Sequence, residues 1–208
     1  VKPTKLLKSL TCINKGSEKM LIEDDIKKYL EKCLKPSRYV HTLGVVDVAE
    51  KLAIQYNVDA KKARIAALLH DAAKNMNVDE LIRISKENNH EIDEDYYSSP
   101  QLLHGVVGAY IAKNTFDIKD SDILNAITYH TTGRANMCLL EKIIYVADYI
   151  EPSRNFQGVE SLRELAYKNL DEAVIECCEN TIKYILSKKL LLHKNTIEAR
   201  NYLLIQKQ

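Results

Sequence analysis

The sequence predicts an all-α protein, a single globular bundle of about eight to ten helices. Three observations predict it. Apolar residues return at three- and four-residue spacing through nearly every segment from residue 20 onward. No alternating strand pattern longer than a few residues occurs. Gly and Pro, six and four in 208 residues, are too scarce for a chain built of many tight turns. No internal repeat or shift in composition marks a domain boundary, and 208 residues suffice for one buried core.

The elements follow in order. Residues 1–19, VKPTKLLKSLTCINKGSEK, are basic, but Lys8 interrupts their apolar residues; they read as an extension ahead of Met20 rather than a secretory signal. The folded domain is residues 20–208. Ile22, Ile26, Tyr29, Leu30 and Cys33 form the first helical stripe, ended by Pro36. Ser37 is placed to cap a second helix, carrying Val40, Leu43, Val46 and Leu52 through to Tyr56. Asp59 caps a third, from about Ala60 to Lys74. DELIRISKE is a short fourth. HEIDEDYYSSP reads as a solvated loop, with His90 in water and Glu91 through Asp95, like Asp24–Asp25 earlier, on solvated faces. QLLHGVVGAYIAKN and SDILNAITYHTTG are helical, the second stopped by Gly133. MCLLEKIIYVADYIEP is helical up to Pro152, and SRNFQGVE is the polar loop most suited to function. A long helix from Asp171 to about Lys188 and a last one from about Asn195 complete the chain.

Composition excludes several functions. Thirty basic against 29 acidic residues leave a net charge of +1, which gives no electrostatic basis for a nucleic-acid partner. No apolar run approaches the roughly 20 residues of a membrane span. The cysteines, Cys12, Cys33, Cys138, Cys177 and Cys178, are odd in number and lack CxxC spacing. They read as reduced thiols of a cytoplasmic protein, packed in its core.

ARIAALLHDAAK poses the chemical question: a run that reads as a buried helix carries His70, Asp71 and Lys74. A helix end with polar groups reaching water is one answer. A metal site needing an imidazole beside a carboxylate is the other, because an ionised carboxylate is buried only when paired or metal-bound. Four of the six histidines, His41, His70, His104 and His130, fall on different predicted helices beside apolar stripes. Taken singly, each reads as a core histidine with a hydrogen-bond partner. Taken together with Asp71 and an in-core Asp148 in IIYVADYI, they describe inward ligands presented one per helix. Lys74, four residues beyond His70 and on its side of the helix, would meet the ion's charge unless an anion came between them. That spacing predicts a phosphate, against the simpler reading of a solvated terminal lysine.

The order H…HD…H…H…D, as His41, His70-Asp71, His104, His130 and Asp148, resembles the HD-domain superfamily of metal-dependent phosphohydrolases. RYVHTLGV and YHTTGRANMCLLEKIIYVADYIEPSRNFQGV look like its YqeK-type branch, the symmetrical bis(5′-nucleosyl)-tetraphosphatases. The resemblance runs from about Met20 to the terminal LLHKNTIEARNYLL, where Lys194 departs from the proline of the pattern.

The resemblance implies a bundle of the HD-domain type holding one or two iron ions; the ligand types also suit manganese, cobalt or zinc. It implies His41, His70, Asp71 and Asp148 for the first ion and His104 and His130 for the second, bridged by Asp71. It further implies hydrolysis of a dinucleoside tetraphosphate such as diadenosine tetraphosphate to two nucleoside diphosphates, with Asp71, Lys74 and His104 as the catalytic residues. Position makes Arg38, Lys74, Arg134 and Arg154 the phosphate-neutralising candidates, and each of these arginines has a plain surface role as its alternative. Thr131, Thr132 and the ligands His104 and His130 border the same phosphates, and the resemblance implies that the closing segment closes over ribose or base, with Thr196 a nucleotide contact and His193 a contact or a bystander. The alternatives are another HD-type nucleotide phosphohydrolase (a nucleotidase, or a hydrolase of alarmones or cyclic dinucleotides), an HD-fold oxygenase with an iron pair, and a non-catalytic nucleotide-binding module. Oligomeric state is open, with a homodimer among the options.

Overall fold

The structure, a computed structural model, describes residues 21–207; the expected extension at 1–19 lies outside the described residues, as does Cys12. Eleven α-helices and no strand occur among the described residues. They are α1 (Leu21–Cys33), α2 (Pro36–Gln55), α3 (Ala60–Leu69), α4 (Val78–Glu87), α5 (Glu94–Ser98), α6 (Leu103–Thr115), α7 (Ser121–Tyr129), α8 (Leu139–Ile150), α9 (Val159–Lys168), α10 (Leu170–Ser187) and α11 (Lys194–Ile205). A short 3-10 turn at Pro100–Leu102 leads into α6.

Helices α2, α3, α6, α7 and α8 form the centre. Leu52, Leu68, Leu69, Leu103, Ile127, Ile143 and Ile144 are fully buried between them. The outer helices cover this centre with the apolar stripes that their sequences carry. Ile26 and Leu30 of α1 are fully buried, and α10 packs on α8 through Val174, Cys177 and Cys178. No helix among the described residues is long and apolar enough to cross a membrane.

Several expectations are corrected. Two helices lie where no helix is expected. In the acidic loop, Asp93 accepts the Tyr96 N–H at 3.1 Å and starts α5, whose Tyr96 is buried. After SRNFQGVE, Gly158 at φ +90° opens α9. Asp93 and Asp95 are not merely solvated. They grip the closing segment, Asp93 by a 2.7 Å ion pair with Lys194 and Asp95 by accepting the Lys194 N–H at 3.3 Å. His90 is half-buried and packs edge-on against Tyr96. Lys35, not Ser37, stands at the cap of α2, because Pro36 supplies the preset first helical residue. The inward stripe of α2 is His41, Val45, Ala49 and Leu52, so Val40 and Leu43 face outward. Helix α3 stops at Leu69 rather than Lys74.

Candidate metal centre

His70 and His130 each occupy the first position past a helix, after Leu69 and Tyr129. Beyond Leu69 the ladder tightens. Ala72 donates to the Leu69 carbonyl at 3.1 Å and Lys74 to the Asp71 carbonyl at 2.9 Å, so HDAAK is a run of turns closing the helix. Gly133, at φ +64°, ends α7 by donating to the Tyr129 carbonyl at 2.8 Å.

Helix α6 lies directly on both helix ends. A Cβ on Gly105 would meet the Thr128 carbonyl oxygen at 2.5 Å, and one on Gly108 the Leu69 and His70 oxygens at 3.2 and 3.4 Å. The glycines of HGVVG therefore allow the approach that sets His104 beside His70 and His130. Helix α2 brings His41 in from the opposite side, and Asp148 comes from the last turn of α8.

All four rings are oriented alike. Nδ1 of His70 lies 2.6 Å from the Ala67 carbonyl, that of His104 2.5 Å from Gln101, and that of His130 2.8 Å from Ile127. His41 Nδ1 is 3.0 Å from Glu151 Oε1. Carbonyls and carboxylates accept, so Nδ1 carries the proton in each ring and Nε2 is left as the ligand atom. Sequence reasoning missed Glu151. It is fully buried at the end of α8 and is held by the Ser153 N–H and hydroxyl. A Cβ on Gly44 would lie 2.8 Å from its Oε2, so that glycine makes room for it. Arg163, also missed, donates to the carbonyls of Ile150, Glu151 and Arg154 at 2.9 Å each and fastens the turn.

The four Nε2 atoms close on Asp71 in two pairs. Oδ1 lies 3.1 Å from His104 and 3.5 Å from His130. Oδ2 lies 3.5 Å from His70 and 3.9 Å from His41, whose Nε2 is also 3.0 Å from Asp148 Oδ1. Within the protein, His41 Nε2, His70 Nε2 and Asp71 Oδ1 are buried without a hydrogen-bond partner. Acceptors gathered this closely suit cations between them, and a nitrogen and oxygen donor set without thiolate fits divalent metal ions. The structure thus brings together all six residues of the expected ligand set, with Asp71 turning one oxygen to each imidazole pair.

Electrostatics match that use. Burial opposes ionisation of Asp71, yet the charge that His70 carries in metal-free protein holds its carboxyl well below the usual range. Asp148 is likewise depressed against burial in metal-free protein, by His41 beside it and the charge of His70. Burial pushes His130 down to about 4, leaving its ring neutral near pH 7.

Three cations rim the site. Arg38 Nη1 donates to Asp71 Oδ2 at 2.9 Å, and Arg154 Nη2 to Asp148 Oδ1 at 2.6 Å. Lys74 Nζ stands 3.1 Å from His104 Nε2 and 3.7 Å from Asp71 Oδ1. All three line a cavity of about 670 Å³, with His130, Thr131 and Asp148 in its wall. Thr131, Thr132, His193 and Thr196 line an adjoining cavity of about 340 Å³. The Thr196 hydroxyl donates to the Thr132 carbonyl at 3.0 Å, fixing α11 against the turn after His130. Arg134 is not drawn into this group. Its guanidinium pairs with buried Glu141 at 2.6 and 3.0 Å and lies over the Tyr129 ring.

Residues 38–153 match the HD domain family. A symmetrical bis(5′-nucleosyl)-tetraphosphatase of Halalkalibacterium halodurans is 39% identical over 196 residues, covering 94% of this chain and 100% of the relative. One of Bacillus subtilis is 43% identical over 169 residues, 80% of this chain and 89% of the relative. A crystal structure of an HD superfamily hydrolase from Clostridium acetobutylicum, described as involved in NAD metabolism, superimposes with a TM-score of 0.86 at 49% identity, covering 88% of this chain and 97% of that one. By the match, the relatives and the ligand order alike, the chain belongs to the HD domain family, among the symmetrical bis(5′-nucleosyl)-tetraphosphatases.

Proposed function

We propose that the protein is a metal-dependent hydrolase cutting dinucleoside tetraphosphates, such as diadenosine tetraphosphate, at the central anhydride to give two nucleoside diphosphates. The observation that carries this reading is the split of Asp71, one oxygen to His104 and His130 and the other to His41 and His70, beneath Arg38, Lys74 and Arg154. Carboxylate and imidazole ligands suit a pair of divalent ions, and cations beyond them suit a polyanion. Relatives bearing that enzyme's name, matched over 89% or more of their length, support the substrate.

His41, His70, Asp71 and Asp148 would hold one ion and Asp71, His104 and His130 the other, with iron the metal we favour. When bound, such ions supply Lewis acidity that activates water and offsets phosphoryl charge. In the reaction, the oxygen of water bonds to one central phosphorus and the bridging P–O bond breaks. One diphosphate keeps the new oxygen; the other leaves on the bridging oxygen, and the two protons of the water pass to the product phosphates or to solvent. Arg38 and Arg154 keep further N–H donors for phosphate after binding Asp71 and Asp148. Lys74, 34% exposed, reaches into the cavity where negative charge gathers on the leaving oxygen. Thr131 borders the phosphates, and His193 and Thr196 the nucleoside. Free thiols at Cys33, Cys138, Cys177 and Cys178 support a reducing, cytoplasmic setting.

The test is purification without added metal, metal analysis, and product separation after incubation with diadenosine tetraphosphate. ADP alone with near-stoichiometric iron is expected. AMP with ATP would reject the cleavage position, and metal without turnover would reject the activity.

A further inference from the structure

Three cavities run end to end past the metal centre. The middle one, about 670 Å³, is walled by Lys74, His130 and Asp148. On the His104–His130 side it shares Thr131, Thr181 and Ile185 with the 340 Å³ cavity that reaches His193 and Thr196. On the His41 side it shares Arg38, Arg154 and Phe156 with a third, about 420 Å³, bounded by Ser37, Ser153 and Asn155. The reactive centre thus borders the middle of three adjoining cavities.

A substrate cleaved at its centre into equal halves needs room for a nucleoside on both sides of the breaking bond. The His193 side provides one such place, and the third cavity has the chemistry for the other. We propose that the cavity between the first turn of α2 and the 153–156 loop seats the second nucleoside, with its base on the ring of Phe156; this rests on the reading of the chain as a dinucleoside tetraphosphate hydrolase.

Phe156 is half-buried, and Tyr149 props its ring edge-on, with centroids 5.4 Å apart and planes at 81°. One face of a braced ring is the sequence-tolerant surface on which a nucleobase stacks. Asn155 is exposed beside it, offering an amide donor and acceptor to a base edge. Arg38 and Arg154 stand where the cavity meets the middle one, so a chain of phosphates crossing the metal centre passes between two guanidinium groups before its nucleoside reaches Phe156. The arm toward His193 uses none of these residues except through the shared middle cavity.

The test compares diadenosine tetraphosphate with adenosine 5′-tetraphosphate, which carries the same phosphates and only one nucleoside. KM for the first, and KM or competitive Ki for the second, are measured for wild type, Phe156→Ala and Phe156→Tyr. Loss of the stacking face is expected to raise the ratio of the two constants roughly ten-fold in Phe156→Ala. Phe156→Tyr, which keeps a face, is expected to restore it. An equal rise for both compounds would show that Phe156 only braces the Arg154 turn and overturn the proposal, as would no change in the ratio. Wild-type protein yielding no ADP from diadenosine tetraphosphate would overturn the functional reading itself, an outcome read before any variant is made.

Discussion

Asp71 is the residue on which both halves of the centre depend, because each of its oxygens faces a different pair of rings. Asp71→Ala is expected to lose bound metal and turnover together, read by metal analysis and product release. Lys74 touches the same carboxylate from the cavity side without being needed to hold an ion. Lys74→Ala is therefore expected to keep its metal while kcat falls about a hundred-fold, the scale of one lost charge-stabilising donor. A rate within a few-fold of wild type would remove Lys74 from the mechanism. Glu151 acts one step further out, fixing the His41 ring through Nδ1. Competition with a chelator should show Glu151→Ala binding metal about 10- to 100-fold more weakly; unaltered affinity would make the contact incidental. The six clustered residues are legible in the sequence because metal chemistry demands those residue types and their order is distinctive. Glu151 is not, since a glutamate before a proline reads as an ordinary helix end until α2 is seen beside it. Arg134 misleads for the converse reason: HTTGR places it near the centre along the chain, while Glu141 seven residues later captures it.

At the scale of elements, the centre depends on where helices stop. His70 and His130 face the centre from the turns that end α3 and α7, and both turns lie under the glycine face of α6. Gly105→Ala would drive a methyl group to 2.5 Å from the Thr128 oxygen, which is backbone and cannot swing aside. Separation of α6 from α7 is expected to cost about 1–3 kcal/mol of stability. Metal affinity should fall with it, because the change parts His104 from His130; urea melts and chelator competition on one preparation would register both. A variant with the wild-type midpoint would show that α6 has slack. Helical periodicity reveals the stripes of α1, α3, α8 and α10, whose partners are simply apolar. It fails on α2, where ligand and core share a face and His41 breaks the apolar stripe. It also fails on α5, where a five-residue helix in an acidic run leaves too short a pattern to read.

Over the whole molecule, burying so many imidazoles makes stability depend on pH. In metal-free protein His130 titrates at about 4 rather than 6.5, because burial penalises its charged form. Between those values the unfolded chain holds a proton that the folded chain lacks, so stability is lost as pH falls through that window. Burial depresses His90 and His193 as well, with the same sign. For His70 the charge of Asp71 outweighs burial and raises the pKa, so its ring is protonated in both states across the window and contributes nothing there. The His130 contribution approaches about 3 kcal/mol. Urea midpoints of chelator-treated protein at pH 6, 5 and 4.5, all inside the window, should decline in that order, and a rising series would contradict the assignment. Below the window the depressed carboxylates of Asp71 and Asp148 continue the loss.

The ligands reach from His41 to Asp148, drawn from α2, the turns after α3 and α7, α6 and α8. A ribosome emits such a chain from its beginning, at about 5–20 residues per second. For several seconds the nascent protein has exposed histidines with no Asp148 to complete their set, and no partial cluster along the way has the full arrangement. A centre that needs the whole set would therefore be loaded after synthesis of α9, when Asp148 and Glu151 are in place and Arg163 fastens the turn that bears them.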